Sequence, residues 1–152
     1  MTSNPLSGES GDEASRRARG GASRSEAAAV SVVMAFERAV NAGDADQVVG
    51  LAVQNVEVGG PRGRGHGREL LREWVERAGI HLRTRRIFQR EGVIVADQDA
   101  RWGGDGDDAE EHTIATEFVV RDGRIEAVIR HDDVDTALSA AGLHAADEVA
   151  LR

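Results

Sequence analysis

The chain has 152 residues, with 19 Lys plus Arg against 27 Asp plus Glu, for a net charge of −8. It contains no lysine, cysteine or tyrosine, so all 19 of these basic side chains are arginine. Schiff-base chemistry, a P-loop lysine, thiol nucleophiles, disulfides, cysteine-ligated zinc and iron–sulfur clusters are thereby excluded. Carboxylate, imidazole, guanidinium and hydroxyl groups remain.

The length fits one domain. Hydrophobic content is 40% but aromatic content only 3%, so the core must be built from Val, Ala, Leu and Ile. An isoelectric point near 5.1 argues against nucleic acid as a partner. There is no apolar run of membrane-spanning length, and MTSNPLSGES lacks the features of a signal peptide. A cytoplasmic protein without a membrane partner is expected.

Residues 1–25 carry too little apolar surface to offset ordering entropy and read as a disordered tail. A helix is predicted over Glu26–Asn41, where Ala29, Val32, Val33, Phe36 and Val40 fall on one stripe. Asp44 caps a short second helix, with Gln47 three residues on. Asn55–Val58 reads as a strand, and 59–67 as a Gly-rich loop. A third helix spans Arg68–Ala78, with Leu70, Leu71, Trp74, Val75 and Ala78 on its buried face.

Four strands follow, over His81–Arg90, Val93–Trp102, Thr113–Arg121 and Arg124–His131. Asp122-Gly123 is a hairpin turn, and 103–111 is an acidic loop. Asp132 or Asp133 caps a last helix that ends at Gly142, leaving 143–152 as a C-terminal tail. This order defines an α+β domain over residues 26–142: a curved, mostly antiparallel sheet with helices on one face.

Several ordered strings, Asn41-Ala-Gly-Asp44, Val48 to Leu51, Asn55-Val-Glu-Val58, Gly67 with the Leu70–Trp74 helix, and Val120 to Ile125 leading to His131-Asp-Asp133, resemble the nuclear-transport-factor-2-like superfamily with its SnoaL-like polyketide cyclases and ketosteroid isomerases. The resemblance implies a cone-shaped fold, helices closing a pocket on the concave face, and homodimers through the outer sheet surface. It leaves function open, because the superfamily includes isomerases, cyclases, dehydratases, epoxide hydrolases and non-catalytic modules. Ketosteroid isomerases carry an aspartate base just after the first strand. Val58 and Gly59 stand there in this chain, and the family's phenol is missing with tyrosine.

Strand alternation nominates site residues. Ile94, Ala96, Gln98, Ala100 and Trp102 share one face, as do Ile114, Thr116, Phe118 and Val120, and as do Ile125, Ala127, Ile129 and His131. His131, oriented by Asp132, is the candidate acid–base group. Trp74, Gln98, Trp102 and Thr116 are candidate ligand-binding residues. The Asp97-x-Asp99-x-Arg101 row invites comparison with the Asp–Arg–Asp site of limonene-type epoxide hydrolases, but such a row is usually a solvated surface. The five histidines show no HxH or HExxH spacing, so no metal site is expected, nor any cofactor. Two readings follow. One is a cofactor-independent acid–base enzyme acting on a small hydrophobic molecule. The other is a non-catalytic binding or dimerisation module. Arg62 to Arg90 is locally basic and Asp97 to Asp135 acidic, a polarity read here as pairing strands or subunits rather than as a clue to the substrate.

Overall fold

The computed structural model describes residues 6–102 and 110–151, with side chains described from residue 24 onward except for residue 110. Helix α1 runs Leu6–Asn41, α2 Ala45–Gly50 and α3 Arg68–Ala78. Strands β1 (Ala52–Gly60) and β2 (Gly63–His66) flank the turn before α3. Then come β3 (His81–Arg90), β4 (Val93–Trp102), β5 (Glu110–Arg121) and β6 (Arg124–His131). Helix α4 (Val134–Ala141), a 3-10 turn and the two-residue β7 (Glu148–Val149) complete the chain. The strand order is β2-β1-β6-β5-β4-β3-β7, antiparallel throughout except where β1 runs parallel to β6.

The helix expected from Glu26 extends back to Leu6, through a segment in which Ala, Glu and Arg favour helix and offset its glycines. Residues 1–5, and residues 103–109 of the expected acidic loop, lie outside the described residues. The segment after Gly142 is no loose tail. Leu143 is buried, and Glu148–Val149 pairs with Phe88 and Ile87 at the β3 edge.

The main core lies between the concave face of the sheet and helices α1 to α3. Val33, Phe36 and Val40 of α1 meet Ile87, Ile94, Phe118 and Ile125 there. Phe36 packs edge-on against Phe118, with ring centroids 5.3 Å apart. The end of α1 is docked by Asn41, whose amide bonds both backbone groups of Leu82 at 2.8 and 2.7 Å, acting as a strand partner for β3. Arg68 fixes α3 by donating twice to the Ala52 carbonyl. Helix α4 lies on the opposite, convex face. It covers Phe88, Val95 and Ala115 with Ala137 and Leu138.

Two one-residue bulges decide which side chains face inward. Thr84 pairs with Gln98 but Arg86 with Asp97, so Arg85 is extra in β3. Val120 pairs with Ile125 but Val119 with Ala127, so Glu126 is extra in β6. A bulge moves every later side chain to the other face. Beyond Glu126 the inward residues are therefore Val128 and Arg130, and Ala127, Ile129 and His131 turn outward. This corrects the expected alignment of His131 with Ile125.

Candidate ligand pocket

A cavity of about 610 Å³ opens on the concave side of the sheet. Its apolar wall comes from Phe36 on α1, Leu70 and Trp74 on α3, Ile80 and Leu82 before and in β3, Ile114 on β5, and Val58 and Val128 at the β1–β6 junction. Trp74 stacks on Phe36 at 6.5 Å with the rings 14° from parallel. The Gly-rich segment expected as a loop is the β1–β2 hairpin, with Val58 opposite Gly65 and Gly59 opposite Arg64, and it forms one side of the mouth. Glycine at 59 permits the close crossing: a Cβ there would stand 2.6 Å from Arg64 Cγ and 2.8 Å from the Gly63 carbonyl.

Behind the wall, a buried polar row ending at Thr116 has a fixed sense. Glu37 on α1 is 8% exposed, and Gln98 on β4 is fully buried. Thr84 Oγ1 donates to Glu37 Oε1 at 2.5 Å. The Gln98 amide nitrogen donates to Glu37 Oε1 at 3.5 Å and to Thr84 Oγ1 at 3.4 Å. Thr116 Oγ1 donates to Gln98 Oε1 at 2.7 Å. A carboxylate only accepts, so it sets the direction of every bond in the row. The Thr116 proton is committed to Gln98, and Thr116, which lines the cavity, has only lone pairs left for a ligand.

Four arginines line the same cavity: Arg62 and Arg64 on the hairpin, Arg77 on α3 and Arg130 on β6. Arg64 pairs with Glu57 at 3.4 Å and Arg77 with Glu73 at 3.7 Å, both in exposed settings. Arg130 is half-buried and lies 5.8 Å from the centre of the Trp102 ring. Among the described residues the lining contains no Asp, Glu or His.

Of the residues nominated from sequence, the structure places Trp74 and Thr116 in the lining and Gln98 directly behind Thr116. Trp102 is on the same sheet face but outside the lining; it touches the pocket through Arg130. His131 is on the convex face, its Nε2 2.9 Å from Glu117 Oε1, so Glu117 and not Asp132 orients it. Asp132 is exposed, and Asp133 is the cap of α4, accepting from Thr136 N at 2.7 Å. That bond, the largest cause, holds the Asp133 carboxyl below its ordinary range.

Asp97 and Asp99 also face outward, bound to Arg83, Arg85 and Arg86 at 3.2 to 3.5 Å. The row compared with the epoxide-hydrolase site therefore lies away from the concave cavity, and Asp97 instead borders an outer depression with Arg85, Arg86, Thr113, Asp133 and Val134. Among the described residues no group of three His, Cys, Asp or Glu side chains is placed to hold a metal ion. The pocket arginines were missed from sequence. For Arg62 and Arg64 the available signal was the Arg-Gly alternation over Arg62–Gly65; Arg77 and Arg130 carry none.

No family model and no curated protein matches the chain. Solved structures do. An NTF2-like protein of unknown function from Cytophaga hutchinsonii ATCC 33406 superposes with a TM-score of 0.62 at 16% identity, over 69% of this chain and 89% of that one. An LEH-like epoxide hydrolase from M. tuberculosis gives 0.61 at 22%, over 76% and 85%. A protein with a ketosteroid isomerase-like fold from Catenulispora acidiphila DSM 44928, in complex with trimethylamine, gives 0.60 at 15%, over 76% and 95%. The fold of this chain is the NTF2-like fold. At these identities the likeness carries no activity from neighbour to chain.

Proposed function

We propose that this chain binds a small hydrophobic molecule in the concave pocket, and that binding rather than proton transfer is its work. The observation that carries the reading is the lining. It is a mostly apolar cavity of ligand size whose described polar side chains are one threonine and four arginines. None of these exchanges a proton near neutral pH: arginine stays charged, and the Thr116 proton is held by Gln98. The neighbour crystallised with trimethylamine supports small-molecule binding as a use of this fold. Independence of any cofactor, a cytoplasmic location and a homodimer belong to the same proposal, and light scattering tests the last.

The acid–base reading keeps one support, the buried Glu37 behind Thr84 and Gln98. Turnover that vanishes in Glu37→Gln while ligand affinity stays would replace the binding proposal with it.

The test is a thermal-shift screen of hydrophobic metabolites. A ligand at 100 times its Kd stabilises the native state by about 2.7 kcal/mol, which raises Tm by roughly 5–10 °C in a domain of this size. Leu70→Trp, at the mouth, is expected to abolish the shift, and His131→Ala, on the convex face, to retain it. Absence of any stabilising ligand, or hits that persist in Leu70→Trp, would refute the proposal.

A further inference from the structure

We infer that the ligand of this pocket is an amphipathic anion: a hydrophobic body carrying one carboxylate, sulfonate or phosphate group, which Arg130 and Arg62 receive at the mouth. The inference rests on the binding reading and names its ligand class.

The first support is the sorting of charge. Acids outnumber arginines 27 to 19 in the chain. Unsorted, the wall would hold at least as many carboxylates as guanidinium groups. Among the described residues it holds four arginines and no carboxylate. The acidic side chains of the central strands are instead consumed on the convex face, Asp97 and Asp99 by Arg83, Arg85 and Arg86, and Glu117 by His131. These acidic side chains are thus paired on the outer side of the sheet, and the charged groups that line the cavity itself are guanidinium groups, of which Arg64 and Arg77 also reach Glu57 and Glu73 outside it.

The second support is the state of Arg130. It is half-buried beside Thr116, its cross-strand partner on the inward face. Among the described residues it makes no ion pair, and its described attraction is to the face of Trp102. Arg62, exposed on the hairpin turn, likewise makes no ion pair among the described residues. Taking a guanidinium partly out of water without a counter-charge is costly. A ligand anion completes it with charge-assisted bonds, which are stronger than neutral ones and bidentate on arginine. The Trp102 ring, 5.8 Å from the guanidinium carbon, offers it a cation–π contact and no counter-charge. The apolar wall of Phe36, Trp74, Ile80 and Leu82 would take the body.

The experiment uses two probes with one body. 8-Anilinonaphthalene-1-sulfonate carries a sulfonate, and N-phenyl-1-naphthylamine is the same molecule without it. Affinities are measured by fluorescence titration on the full chain at low and high salt. The sulfonate is expected to bind at least about tenfold more tightly, as one charge-assisted contact allows. That ratio should fall towards one at high salt and in Arg62→Gln/Arg130→Gln. Decanoate should displace the sulfonate better than decanamide does. Arg62→Glu, on the exposed turn, gives a second variant that leaves the β6 packing alone, and it should lower the ratio further than Arg62→Gln. Circular-dichroism melting confirms that each variant is folded. Equal affinity for the two probes, or a ratio that the arginine variants do not move, would overturn the anion inference and leave the binding proposal standing. If neither probe binds, or if both bind Leu70→Trp as well as wild type, the binding proposal fails with it.

Discussion

Replacing Gln98 by leucine removes the middle of the buried polar row while keeping the side-chain volume close to native. Glu37 loses one of its two donors and keeps Thr84, and the Thr116 hydroxyl loses its acceptor at 2.7 Å. Each group left short inside the core costs about 1–3 kcal/mol, more for the charged one. The leucine, burying apolar in place of amide surface at a fully buried site, returns about 1 kcal/mol. The net expectation is a loss of about 2–4 kcal/mol. Urea unfolding followed by the fluorescence of Trp74 and Trp102 measures it. A double variant with Glu37→Gln tests the wiring, because coupled groups depart from additivity by at least about 0.5 kcal/mol. The double variant should be less destabilised than the two single losses together, since a neutral amide tolerates the missing donor better than a carboxylate. A Gln98→Leu protein as stable as wild type, or strictly additive losses, would show that the row is not a connected network.

The remaining predictions concern the pocket rim and the last helix. Gly59→Ala forces a Cβ against Arg64 and the Gly63 carbonyl, and overpacking of that kind costs about 1–3 kcal/mol. Gly50→Ala meets nothing within 4 Å and should be neutral or slightly stabilising. Chemical denaturation of the pair should rank them in that order, and the reverse order would refute the crossing described for the hairpin. Asp133 has a folded-state pKa below its unfolded one, so its stabilisation of α4 is present above the unfolded carboxylate value and is lost as pH falls through the lower folded value. Melting curves of wild type and Asp133→Ala should therefore differ at neutral pH and converge in acid. A gap that widens on acidification would contradict the cap.

The parts legible in sequence were those in which one residue type forces one conformation or one face. The Val33–Phe36–Val40 stripe of α1 is buried as its spacing requires. Asp122 and Gly123 take positive φ of 52° and 77°, as a tight hairpin demands. The inward faces of β4 and β5 follow alternation because neither strand carries an extra residue and their shared ladder is unbroken. In β6 the signal fails for a physical reason. Ala127, Val128 and Ile129 are all apolar, so hydropathy cannot choose a face, and the extra residue at Glu126 makes the choice through the backbone. Strand β2 was missed because Gly-Arg-Gly-His carries no core side chain and is held by its ladder to β1. The pocket arginines were hidden because a sequence shows where charge lies along the chain, whereas the site depends on which arginines already have partners. Arg83, Arg85 and Arg86 have carboxylate partners, and Arg62 and Arg130 make no ion pair among the described residues.

The bulge at Glu126 also makes the chemistry of this pocket a matter of register. Arg130 and His131 are neighbours in sequence and stand on opposite sides of one sheet. Were the bulge smoothed out with Glu126 retained, so that Glu126 stood opposite Val119 and the ladder slipped by one residue, the two would exchange, withdrawing a guanidinium from the cavity and presenting an imidazole in its place. In this strand one backbone irregularity, and no change of side chain, decides whether a guanidinium or an imidazole faces the cavity.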